Sequence, residues 1–141
     1  MADDGSDFLR SMSIATSGLR AQAGRMKVIS ENIANADSTA PTAGGNPYRR
    51  KVPTFSTEFD RALDAQVVAL GRVSVDPTSF RVKHDPGNPA ADAAGNVKYP
   101  NVNPLIEMTD MRDAQRSYEA NLNIISATRR MIQRTLDILK A

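Results

Sequence analysis

His84 stands directly before Asp85 in the run Arg81-Val82-Lys83-His84-Asp85-Pro86. An imidazole beside a carboxylate is the arrangement of an acid–base pair. Catalysis would also need a nucleophile and a shaped pocket, and no motif in the chain supplies either. The residue therefore reads as a surface histidine near a strand end. With one His and no Cys in 141 residues, a thiolate or His-rich metal site, a disulfide and a cysteine nucleophile are all excluded. Gly44-Gly45 lacks the Gly-Lys-Ser/Thr ending of a phosphate loop and the spacing of a dinucleotide fingerprint. No catalytic residue, cofactor or metal is expected.

The basic run Arg49-Arg50-Lys51 after Tyr48 is the one cluster suited to phosphate or nucleic acid. The whole chain carries 18 Lys and Arg against 16 Asp and Glu, a net charge of +2. So small an excess makes ion pairing at a protein interface, or plain solvation, the better reading, and no nucleic-acid partner is expected. Glu107, Asp110 and Asp113 fall where a helix begins, and Arg129, Arg130 and Arg134 near its far end, as the helix dipole favours. Asn32, Asn35, Asn121 and Asn123 are harder to dismiss, because Asn is a poor helix-interior residue. Asn32 and Asn121 lie close to apolar seams, so two readings stay open: buried hydrogen bonds that fix register, or exposed caps.

The elements that must carry these residues are two long helices. Phe8, Met12, Ala15, Leu19, Gln22, Met26, Ile29 and Ile33 repeat at four, three, four, three, which is a heptad seam. A helix over 8–35 is predicted, roughly 40 Å long at 1.5 Å per residue. Met108, Met111, Gln115, Tyr118, Leu122, Ile125, Arg129, Ile132, Leu136 and Leu139 repeat the device, with Pro104 just ahead of the start. This second helix is roughly 50 Å long. Between them the sequence is rich in Gly and Pro, eight of each in the chain. Phe55, Phe59, Leu63 and Val67 suggest a short helix within 54–70. Val73 with Val75, and Phe80 with Val82, read as short strands, and Asp85-Pro86-Gly87-Asn88-Pro89 as a turn.

The fold class expected is mainly α. Long N- and C-terminal helices (1–35 and 105–141) pair as a coiled coil, with a loop-rich central insert (36–104) containing a few short strands. A lone amphipathic helix gains too little to offset its ordering entropy, so the seams call for partners within the chain or from other copies. The longest apolar run, Val67-Val68-Ala69-Leu70, is far too short to span a bilayer. The acidic N-terminus shows no secretory signal peptide.

Ser30-Glu31-Asn32-Ile33-Ala34-Asn35, then Thr39 and Tyr48-Arg49-Arg50, resembles the N-terminal signature of bacterial flagellar axial proteins of the rod and hook. Tyr118-Glu119-Ala120-Asn121 with the Thr135-Leu136 ending resembles the matching C-terminal motif. Asp85 to Ala90, Gly95-Asn96-Val97 and Tyr99-Pro100-Asn101-Val102-Asn103 look like the short proximal rod members. Ala40 to Pro47 lengthen the usual loop, and Pro47 replaces the Gly before Tyr48.

The resemblance implies a structural, non-enzymatic subunit of the basal-body rod. Such a subunit is exported through the flagellar type III apparatus without a cleaved signal and assembles helically in the periplasm. It forms a torque-carrying shaft around the export channel. Implied partners are other copies, other proximal and distal rod proteins, the junction protein to the MS ring and the export apparatus. The implied assembly residues are Asn32, Ile33, Ala34, Asn35, Thr39, Tyr48, Arg49, Pro100, Asn101, Val102, Tyr118, Ala120 and Asn121. The seam positions Phe8, Met12, Leu19, Met26, Ile29, Met108, Met111, Leu122, Ile125, Ile132, Leu136 and Leu139 supply the apolar contacts. The alternatives are a second class of short proximal rod protein or, outside the family, a small helical binding module.

Overall fold

In a computed structural model, residues 2–140 are described, with side chains from Gly5 onward. Two helices dominate: α1, Ala2–Ala34, and α2, Pro104–Lys140. Six short strands lie between them. They are β1 (Lys51–Val52), β2 (Phe55–Asp60), β3 (Ala65–Leu70), β4 (Ser74–Val75), β5 (Arg81–His84) and β6 (Asn96–Tyr99). They form three separate antiparallel pairs, β1 with β4, β2 with β3 and β5 with β6. The chain is thus mainly helical, as the seams foretold. Among the described residues no helix is long and apolar enough to cross a membrane.

Each helix end has a local cause. Asn103 accepts the Leu105 amide on Oδ1 at 3.1 Å, a side-chain cap at the start of α2, and Pro104 takes the first helical position, where its missing N–H costs nothing. At the end of α1, Asn35 folds its Nδ2 back onto the Glu31 carbonyl at 2.8 Å. Ser38 Oγ donates to the Asn35 carbonyl at 3.0 Å. These bonds close the last turn and send the chain into the loop.

The expected helix within 54–70 is replaced by the β2–β3 hairpin, in register from Phe55↔Leu70 to Asp60↔Ala65. Phe55, Phe59, Leu63 and Val67 do repeat at helical spacing. The competing pattern is the β-branched pair Val67-Val68 facing Thr57 and Glu58, joined by a tight turn. There Asp60 Oδ1 accepts the amides of Ala62 at 2.9 Å and Leu63 at 3.4 Å. Asp64 takes a left-handed φ of 45° to close that turn, a conformation Asp tolerates better than most residues.

The chain divides into two compact units. The first joins 1–25, 55–71 and 113–141; the second joins 26–54 and 72–112. In the first unit, β3 lies against α1. An added Cβ at Gly24 would come within 2.8 Å of the Leu70 side chain, and one at Gly18 within 2.8 Å of Asn121 on α2. Phe8 and Leu9 of α1 share an apolar cleft with Ile132, Leu136 and Leu139 of α2, so the two helices run antiparallel there. The second unit has a small core of Ala40, Ala90 and Val97, with Ala91 and Tyr99 against it.

Candidate functional site

Within the second unit, Asn32, Tyr48 and Arg50 of the N-terminal signature meet in one buried polar cluster. Asn32 is fully buried near the end of α1. Its Nδ2 donates to the Lys51 carbonyl at 2.8 Å and to Glu107 Oε2 at 3.0 Å. Its Oδ1 accepts from Tyr48 Oη at 2.8 Å and from the Lys51 amide at 2.9 Å. Every hydrogen-bonding position of that amide is filled, as burial demands. Of the two readings left open for Asn32, the register-fixing one describes it.

Glu107, 1% exposed, is the second centre. Arg50 Nε donates to its Oε1 at 2.6 Å. The same guanidinium lies 3.5 Å from Asp76 and 3.6 Å from Asp110. The helix dipole alone explains Glu107 only as an acid in the first turn of α2. The structure corrects this: Glu107 is the buried counter-ion that joins α2 to β1 and α1. Arg50 was seen in the sequence as one of three bases, with nothing to say which would turn inward. A carboxylate on the inner face of a predicted helix, with no apolar role there, was the available clue.

The flanking residues complete the cluster. Asn101 Oδ1 accepts the Arg50 amide at 2.8 Å, and its Nδ2 donates to the carbonyls of Asp76 and Thr78, both at 3.2 Å. Arg49 Nη1 donates to the same two carbonyls at 3.1 and 2.9 Å. Its guanidinium sits 4.2 Å from the centre of the Phe80 ring, a cation–π contact. Lys51 pairs with Glu31 at 3.0 Å. The basic run is thus spent on partners inside the chain.

The electrostatics follow. Burial pushes the Tyr48 hydroxyl above its ordinary value. Burial pulls Arg50 down, but the hydrogen bond and charge of Glu107, with Asp76, outweigh it, so the guanidinium is held more firmly charged. The hydrogen bond from Lys51 lowers Glu31 and raises Lys51 in return. Hydrogen bonds from Thr78, then Arg50, lower Asp76. The arrangement binds chain to chain: it brings together the end of α1, the start of α2, β1 and the loops at 76–78 and 101. Among the described residues no group of His, Asp or Glu is placed to hold a metal. His84 is exposed at the end of β5, 3.4 Å from Asn96 Oδ1.

The remaining sequence-derived residues fall in several places. Pro100 and Val102 are buried beside the cluster; Ile33, Asn35 and Thr39 are half-buried and Ala34 exposed. Tyr118, Ala120 and Asn121 lie in the first unit, apart from this cluster, and Asn121 Nδ2 donates to the Ser117 carbonyl at 3.0 Å. Along α1 the seam is inward: Ile29 is buried, and Phe8, Met12, Leu19 and Met26 are half-buried. Along α2, Met111, Ile125 and Ile132 are half-buried, while Met108, Leu122, Leu136 and Leu139 are exposed. The deepest positions on α2 are Glu107, Ala114 and Thr128.

Comparison with known proteins gives a consistent result. Residues 12–40 match the family described as Flagella basal body rod protein. Residues 93–138 match the one described as Flagellar basal body rod FlgEFG protein C-terminal. The chain is 53% identical over 128 residues to the flagellar basal-body rod protein FlgC of Agrobacterium fabrum, covering 91% of this chain and 92% of that one. It is 37% identical over 145 residues to FlgC of Bacillus subtilis, covering 92% and 97%. It is 37% identical over 132 residues to FlgC of Salmonella typhimurium, covering 93% and 97%.

Proposed function

Because the chain belongs to the flagellar basal-body rod protein family, and is a structural subunit of the rod, we propose a division of labour among its residues. Segments 1–35 and 105–141 pack with those of neighbouring subunits as an inner coiled-coil layer around the export channel. Residues 36–104 form the outer part. Neighbours are other copies, other proximal and distal rod proteins and the junction protein to the MS ring. The subunit reaches the periplasmic rod through the flagellar export apparatus without a cleaved signal and there carries torque.

The observation that carries this reading is the row Leu122, Leu136 and Leu139, exposed on α2 at heptad spacing. Fully burying one such leucine stabilises by about 1.5–3 kcal/mol, a gain the single chain makes only in part. Sliding under torque is resisted by interdigitated helices and by the Asn32–Glu107–Arg50 cluster, which sets one helix against the other.

Residues 36–53 act as a clasp. They end in Tyr48, Arg50 and Lys51, whose bonds to Asn32 and Glu107 are given above. Deleting 41–47 shortens the loop that delivers these residues. The variant is expected to be exported normally yet to yield no functional rods, read as secreted protein against swimming. Normal swimming would refute the clasp.

A further inference from the structure

The first unit carries two exposed apolar surfaces of different shape. On α2, Ala120, Ile124, Ala127, Met131, Arg134 and Ile138 repeat at four, three, four, three, four. This is a second stripe, about 150° around the helix from the seam through Leu122, Ile125 and Leu139. Ile124, Met131 and Ile138 are each close to half exposed or more, Ile138 the most at 75%. Arg134 sits at the edge of the stripe and Arg130, one turn before it, beside that same edge, while Arg129 lies on the opposite side of the helix.

The other surface is β2, paired with β3 alone, so that its outer edge is open. Phe55 and Phe59 share one face of the strand and are both exposed, Phe59 at 58%. Glu58 and Asp60 lie on the alternate face. Exposed aromatic pairs on an open edge are the usual anchors of a protein interface. Among the described residues, Glu58, Arg130 and Arg134 form no ion pair. Asp60 uses Oδ1 in the hairpin turn.

The two surfaces match in length, charge and spacing. Ile124 to Ile138 spans about 21 Å of helix, and Phe55 to Asp60 about 17 Å of strand. Arg130 and Arg134 are about 6 Å apart along the axis, as Glu58 and Asp60 are about 7 Å apart along the strand. One surface is apolar and basic, the other aromatic and acidic.

We infer that the second stripe of α2 docks along the β2 edge of another copy of this chain, with Arg130 and Arg134 facing Glu58 and Asp60 and the Ile124–Met131–Ile138 row against Phe55 and Phe59. Each copy presents both surfaces, so the contact is heterologous and propagates without closing. The inference rests on the rod-subunit reading and names one of its interfaces.

The chain has no cysteine, so introduced thiols report cleanly. Pairing Arg134 with Glu58 brings Met131 beside Phe59. Rods isolated from cells expressing a chain with both Phe59→Cys and Met131→Cys are expected to give, on oxidation, a ladder of multiples of the subunit. Phe59→Cys with Arg129→Cys should give at least tenfold less. Assembled rods with no ladder, or with Phe59→Cys joined to a different rod protein, would overturn the inference. Should the thiol variants fail to assemble, charge exchange decides instead. Arg134→Glu with Arg130→Glu is expected to cut the number of swimming cells at least tenfold, and adding Glu58→Arg to restore most of it; no restoration refutes the contact. The rod reading is scored separately, by whether a strain lacking the protein makes rods at all.

Discussion

Asn32, in the second unit, has all four hydrogen-bonding positions of its side chain occupied, whereas Leu139, in the first, is 75% exposed and its neighbour Leu136 45% exposed. The same two helices supply both. Where α1 ends and α2 begins, polar groups are buried and paired within the chain. At the opposite ends of the helices, apolar groups stand in water. Buried polar groups without partners cost about 1–3 kcal/mol each, so the second unit must be complete by itself. Exposed leucines cost nothing comparable until a partner offers to bury them. In the proposed reading, the contrast is between a joint complete within the chain and helix ends that neighbours complete.

The largest expected effect tests the joint. Glu107→Ala leaves the Arg50 guanidinium with only its longer contacts to Asp76 and Asp110 and leaves one Asn32 donor empty. Removing one partner of a buried ion pair typically costs 3–5 kcal/mol. Because Arg50 is partly exposed and keeps two acids, about 3 kcal/mol is expected, read from the urea midpoint. Glu107→Gln keeps the shape and an acceptor, and should cost about half as much. A loss below about 1 kcal/mol would show that Asp76 and Asp110 suffice, and the contrast between the units would weaken.

The apolar ends predict the reverse. Leu139→Ser removes a surface side chain, so the isolated protein should change by no more than about 0.5 kcal/mol. Rod yield should nonetheless fall several-fold, since assembly is where the leucine would be buried. A large loss of stability in the isolated chain would mean that Leu139 is already part of a core.

Much of this was legible in the chain. The heptad spacing of Phe8 to Ile33 and of Met108 to Leu139 gave two helices close to their observed bounds. Of the signature from Asn32 to Arg50, the structure brings Asn32, Tyr48 and Arg50 together, while Ile33, Ala34, Asn35 and Thr39 lie outside that cluster. Two things were not legible. The hairpin at 55–70 hid behind Phe55, Phe59, Leu63 and Val67, because a short apolar run satisfies helical and strand periods alike. Glu107 hid behind the helix dipole, because an acid in a first turn needs no further reason to be there. Its burial depends on a long-range partner, Arg50, fifty-seven positions away, and spacing along one element says nothing about such a pair.

The smallest expected effect is on acid sensitivity, and its sign separates the units again. Asp76 is held below its ordinary range by hydrogen bonds from Thr78 and then Arg50, and Glu31 by the hydrogen bond and charge of Lys51. A carboxylate whose folded value is depressed contributes stability above its unfolded value, near 4, and that contribution is lost as pH falls through the folded value. Both residues belong to the second unit. Hydrogen exchange followed from pH 7 to pH 3 should therefore show amides around 31–32, 49–52 and 76–78 losing protection below about pH 4. Amides of the β2–β3 hairpin should change less. Equal loss in both units would mean that the charges of the joint are not what acid undoes. Protection lost in the joint alone would place its strength in the ion pairs and leave the apolar helix ends to respond instead to the presence of neighbours.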